Sequence, residues 1–245
     1  MTLALIALAA LAGLLIGSVA IGGVLLVPLM VLVFGIDIRV AAAAAMFGYV
    51  FSGLLALQSY RPETALPRTR VAALLAGAIP GALLGALSVA HINSALLQVC
   101  VAGLTIFAGC NALRTRAGVQ GQRQWPVAAF GLIGTLTGFG SALTGTGGPL
   151  ILVPVLLLGA LPTAAAIAVG QLVQLPIGLL ASVGNHFSGL LDLGLGSAIA
   201  TGLVAGVFLG NKLRARVDQQ WLRKALGFGL VAVGGLMLLQ LAVSP

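Results

Sequence analysis

Between Gly138 and Pro154 the chain reads Gly-Phe-Gly-Ser-Ala-Leu-Thr-Gly-Thr-Gly-Gly-Pro-Leu-Ile-Leu-Val-Pro, a run of glycines and hydroxyls inside an otherwise apolar stretch. Glycine is a poor helix former and Pro149 has no N–H, so the run interrupts a helix, and a new helix starts at or near Pro149. The amides of Gly147, Gly148 and their neighbours then lack partners inside the new helix and point forward as donors. Such donors, backed by the positive end of the helix dipole, bind anions. The chemistry on offer is noncovalent capture of a negatively charged solute.

Other polar side chains within the apolar stretches are few, and each is costly there unless it is paired or wet. The first half holds Ser18, Tyr49, Ser52 and Gln58, with a shorter glycine step at Gly22-Gly23; the second holds Thr135, Thr137, Ser141, Thr144, Thr146, Gln171, Gln174, Asn185 and His186. Gln171 and Gln174 share one helix face, and Pro176 beyond them frees a carbonyl. Two carboxamides beside a broken helix suit an oxyanion because they donate N–H groups without a fixed charge. The competing reading is bonding between helices for the glutamines and bonding to their own helix for the Ser and Thr hydroxyls.

His186 falls near the end of its segment and reads as an interfacial histidine ahead of a substrate or proton-coupling group. Ser141 with His186 does not make a hydrolase, since no third group orients the base and no nucleophile elbow is present. Asp37, Glu63, Asp192 and Asp218 all fall in or beside gaps, leaving no carboxylate cluster for a metal and none at the midplane for proton or sodium coupling. No catalytic residue, metal or cofactor is expected. The candidate substrate contacts are Gly22, Gly23, Ser18, Tyr49, Ser52, Ser141, Thr144, Thr146, Gly147, Gly148, Gln171, Gln174, Asn185 and His186.

These groups belong to a chain of 245 residues that is 60% hydrophobic and 7% charged, too few charges to cover a soluble fold of this size. Apolar segments run at about 3–34, 40–58, 71–90, 95–113, 127–161, 163–184, 190–211 and 221–243, lengths that read as membrane spans. The net charge of +8 comes from basic residues in the gaps between spans, so it reports topology and no nucleic-acid partner. Cys100 and Cys110 are almost three helical turns apart and read as packing residues. No basic n-region opens the chain, so a cleaved signal peptide is not expected.

The two halves match. Gly22-Gly-Val-Leu-Leu-Val-Pro28 aligns with Gly148-Pro-Leu-Ile-Leu-Val-Pro154 at a shift of 126, and Gly77, Gly81 and Gly85 align with Gly202, Gly206 and Gly210 at a shift of 125. Glycines at four-residue spacing let another backbone approach, so these two sets read as helix-contact faces.

Charge then decides the path. If each apolar segment crossed once, the basic clusters would divide six against five, contrary to the positive-inside tendency. If 127–161 enters and returns as a hairpin, eleven of the twelve Lys and Arg share one side, with Arg39 on the other. The expected fold is an all-α, polytopic membrane helix bundle of two inverted repeats, each a hairpin plus three transmembrane helices, with the hairpin tips meeting near the bilayer centre. The halves are 1–113 and 126–245, joined by a cytoplasmic loop at 114–125, with both termini outside.

At Ile21-Gly-Gly-Val-Leu-Leu-Val-Pro28 and Gly145-Thr-Gly-Gly-Pro-Leu-Ile-Leu-Val-Pro154 the sequence resembles the TauE/SafE-type sulfite exporter family, also called the toluene-sulfonate uptake permease family. The likeness covers essentially the whole chain; the first copy departs from the triple-glycine form by carrying Ile21. The resemblance implies a prokaryotic-type inner-membrane carrier of sulfite, sulfonates, sulfoacetate or other small organic anions. Its partners would be that anion and the lipid bilayer, with a homodimer left open. The rival readings are an anion channel and, from another class, an intramembrane enzyme or structural subunit.

Overall fold

The computed structural model describes residues 2–19, 22–59, 66–114, 125–159, 161–213, 216 and 218–243. The chain forms α1 (Thr2–Val19), a 3-10 turn at Gly22–Leu25 running into α2 (Leu26–Phe34), α3 (Ile38–Ser59), α4 (Arg68–Val89) and α5 (Ser94–Arg114). These are followed by α6 (Val127–Thr144), α7 (Gly148–Leu158), α8 (Thr163–Phe187), α9 (Leu193–Leu213) and α10 (Gln219–Val243). Eight are long and apolar enough to cross a bilayer, while Gly22–Phe34 and Gly148–Leu158 are shorter. Large apolar side chains face outward, among them Leu132 at 63% and Phe228 at 66% exposure, as a lipid-facing surface requires.

The glycine run breaks the helix where its chemistry demands. Gly145 closes α6 in the left-handed region at φ 65°, and Gly147, at φ 73°, precedes α7 with Pro149 in the first turn. Eleven residues of α7 extend about 16 Å, half of a hydrocarbon core of about 30 Å. The first turn differs. Only residues 20 and 21 separate α1 from the 3-10 turn, against three between α6 and α7. That extra residue shifts the tips to 126, and a segment shorter by one between Pro154 and Thr163 than between Pro28 and Ile38 returns the following helices to 125. Ile21 also stands where the second turn has Gly147, and a β-branched residue avoids a positive φ. Gly22 packs directly on α1, where an added Cβ would overlap Leu15 and the Ala12 carbonyl.

The first helix of each half packs against the other half. Added Cβ atoms at Gly77, Gly81 and Gly85 of α4 would overlap the carbonyls of Gly131, Thr135 and Phe139 on α6; those at Gly202, Gly206 and Gly210 of α9 would overlap Ile6, Ala10 and Leu14 on α1. Partner numbers rise in step, so each pair runs parallel, and every contact in one pair recurs 125 residues away in the other. The α5–α10 pair behaves differently. Gly109 meets the Gly227 carbonyl and Val231, while Gly234 meets the Ala102 carbonyl and Ile106. Here one number rises as the other falls, so these helices, equivalent at a shift of 125, are antiparallel. The α3–α8 crossing repeats the pattern, with Gly53 on Leu175 and Gly178 on Val50.

Cross-contacts assign the ends. Arg70 lies over the Phe130 ring at 5.5 Å, Trp125 lies beside Gly159, and Leu113 meets Gly227, so α4, α6 and α10 begin where α5 and α7 finish. Arg68, Arg70, Arg114, Lys212, Arg216, Arg223 and Lys224 therefore share one basic end. Arg39 is at the opposite end, its guanidinium 2.6 Å from the Ile92 carbonyl in the α4–α5 turn. Arg61, Glu63, Arg214, most of the 114–125 loop with Arg116 and Arg123, and the Gln58 side chain lie outside the described residues. Asp37, Asp192 and Asp218 cap helices, accepting the amides of Arg39, Leu195 and Gln220 at 2.8, 3.0 and 2.8 Å.

Candidate functional site

Both turns end at half-depth. An added Cβ at Gly147 would lie 3.2 Å from the Gln174 amide nitrogen, and Gln174 is the twelfth of the 25 residues of α8. Gly23 lies against Tyr49, the twelfth of the 22 residues of α3. Tyr49 and Gln174 occupy equivalent positions, 125 apart, but are employed differently. The fully buried Tyr49 hydroxyl donates to the Gly23 carbonyl at 2.6 Å, and its ring also flanks Gly147, so one side chain braces both turns. Gln174 is 3% exposed, and its amide bonds to none of the described residues.

Hydroxyls hold the second turn open. Ser141 donates to the Gly147 carbonyl at 3.0 Å, drawing it toward α6. Thr144 reaches the Gly140 carbonyl at 2.7 Å and pairs with Thr146 at 2.9 Å. The N-cap position of α7 is Gly147, which has no side chain to cap the first amides of the helix. Leu or Ile in place of the glycines would occupy that space.

A cavity separates the two turns. Gly23, Thr146 and Gln174 line it with the first turn of α7, and Ile16, Val24, Leu150, Val153 and Ile167 supply apolar wall. About 40 Å³ is open to the centres of water-sized molecules, where a single water needs about 10–15 Å³. The cavity extends toward the basic end, to Asn111 near the end of α5 and Arg223 near the start of α10. On the other side it is closed. Gly145 presses on Ala42 and Val27, and Ala41 to Ala45 are buried.

The remaining candidates lie elsewhere. Ser18 donates to the Leu14 carbonyl at 2.7 Å and Ser52 to the Tyr49 carbonyl at 3.1 Å, each within its own helix. Gly22 faces α1. Gln171 reaches toward the Ile16 carbonyl at 3.5 Å, tying α8 to α1. Thr135 bonds the Gly131 carbonyl, while Thr137 is buried without a partner. Gly148 begins α7 against the Gly170 carbonyl. Asn185 is buried with both amide atoms unpaired, and His186 is exposed beside Phe187, both near the end opposite the basic one. Reasoning from sequence did not single out Asn111 or Arg223. Arg223 was countable as a topological charge, and the available signal was its position inside the apolar segment rather than before it.

A broken helix at membrane depth beside a closed-ended cavity is a transporter's arrangement. The sulfite exporter TauE/SafE family model matches residues 5–237. The chain belongs to this family. TauE/SafE membership makes it a multi-pass membrane transport protein of an anion-exporting family, and the uncapped α7 lies within the matched span. No curated protein and no solved structure matches this TauE/SafE chain.

Proposed function

We propose that the chain is a secondary transporter of small organic or sulfur-containing anions, such as sulfite, sulfonates or sulfoacetate-like solutes, working by alternating access around the two turns. The observation that carries this is the uncapped start of α7 at half-depth, facing the cavity together with the unengaged amide of Gln174. An oxyanion there accepts backbone and carboxamide donors in an apolar surround, where each bond counts for more than in water. The halves 1–113 and 126–245 then act as inverted repeats. Helices that are equivalent in sequence and antiparallel in space, α5 with α10 and α3 with α8, support an axis lying in the membrane plane. The basic end is cytoplasmic in an inner membrane, with both termini outside.

Among the described residues no carboxylate lines the cavity. An anion leaving a negative-inside cell gains about 2.3 kcal/mol per charge per 100 mV, so export runs without a built-in relay. In proteoliposomes, flux of radiolabelled sulfite or a short alkyl sulfonate should saturate, whereas a channel would give flux linear in concentration. Gln174→Leu should raise the half-saturation concentration about 10- to 100-fold, the equivalent of a lost hydrogen bond to a charged group. An unchanged value would remove Gln174 from the site.

Topology is checked separately. Single cysteines placed in the 114–125 loop and beside Asp218 should label from the same face, and one beside Asn93 from the other. Labelling of the first two from opposite faces would refute the hairpins and the inversion together.

A further inference from the structure

We infer that Arg223 makes the site one-sided: its guanidinium contacts the anion only while the cavity faces the basic end, so that face has the lower half-saturation concentration. This rests on the transporter reading above. Arg223 is the fifth residue of α10, half-buried, and it lines the cavity that contains Gln174 and Thr146. Arginine stays protonated under all relevant conditions, and its planar fork matches an oxyanion. The apolar wall around it lowers the local dielectric and strengthens that attraction.

The asymmetry comes from the repeat. When the halves exchange conformations, the cavity on the other face is built from residues 125 positions away. Arg223 corresponds there to Gln98, the fifth residue of α5, and Asn111 corresponds to Leu236. Gln174 corresponds to Tyr49, whose hydroxyl is committed to the Gly23 carbonyl. The opposite cavity therefore has no cation at the equivalent position. A carrier built this way loads anion at low concentration from the basic face and releases it from a weaker site. The gradient still sets the direction of net flux. Microscopic reversibility then requires the maximal rate from the basic face to be lower in the same proportion as its half-saturation concentration.

The test is sulfite flux in proteoliposomes sorted for orientation by a single cysteine in the 114–125 loop, measured from each face. The native chain should show half-saturation lower at the basic face, and Arg223→Gln should collapse the ratio between faces by roughly tenfold, the scale of a charge-assisted bond. Arg223→Lys should keep much of the ratio. Gln98→Arg, in the otherwise native chain, should lower half-saturation at the opposite face, and it decides the matter if Arg223→Gln fails to fold. Saturable flux with equal values on both faces, or an Arg223→Gln effect that leaves the ratio intact, would overturn the inference while sparing the transporter reading. Absence of saturable flux in the native chain would overturn that reading instead.

Discussion

A Gly147→Leu variant is expected to insert and fold but to lose saturable anion flux entirely. Gly147 holds φ 73° with ψ 162°, a region essentially reserved for glycine, where an L-residue costs about 1–3 kcal/mol. The greater effect is positional. A Cβ there lies 3.2 Å from the Gln174 amide and 3.5 Å from the Tyr49 ring, so a leucyl group fills the space in front of the α7 amides. Gly35 provides the control. It has φ 64° and ψ 22°, in the left-handed helical region, with nothing within 4 Å, so Gly35→Leu tests a side chain at a positive-φ glycine in an open position and should transport normally. Measured side by side in proteoliposomes, normal flux through Gly147→Leu would exclude the turn as the anion site.

The second large effect is on stability. Gly206→Leu places a side chain where the Ala10 carbonyl already sits, on a helix pair held together by backbone approach along its length. In lipid, packing of this kind replaces the hydrophobic driving force between helices. Overpacking should cost about 3 kcal/mol or more, and the thermal midpoint of the detergent-purified protein should fall sharply. Gly81→Leu, its equivalent against Thr135, should behave alike. Gly103→Leu should not. Gly103 faces open space on α5, where leucine gains helix propensity, by about 0.5–1 kcal/mol. Equal losses at Gly103 and Gly206 would mean that the close crossings are not what holds α1 to α9.

Glycine spacing was sufficient to mark the contact faces of α4 and α9, because only a residue without a Cβ tolerates a carbonyl at that distance. It did not identify the partners. That α9 takes α1 and α4 takes α6, each from the other half, depends on how the hairpins thread through the bundle. The hydroxyl candidates illustrate the same limit. Ser18, Ser52, Ser141 and Thr144 are each bonded to backbone carbonyls, three within their own helices and Ser141 across the turn to Gly147, and nothing local distinguishes such a hydroxyl from one facing a ligand. Gln174 and Tyr49 are equivalent in register, and only the surroundings leave one amide unengaged while committing the other residue's hydroxyl.

From the amino acids alone came the membrane class, the two breaks, the repeat and the grouping of the basic residues, because composition, backbone restriction at Gly and Pro, and charge beside a bilayer act over a few residues at a time. Tertiary packing alone decided that the second turn is open and the first folded onto α1, that Arg223 lines the cavity, and that the cavity reaches toward the basic end while Gly145 packs against Ala42 on the other side. Those are contacts between residues far apart in sequence. Their energies depend on which backbones come close enough to exclude a side chain.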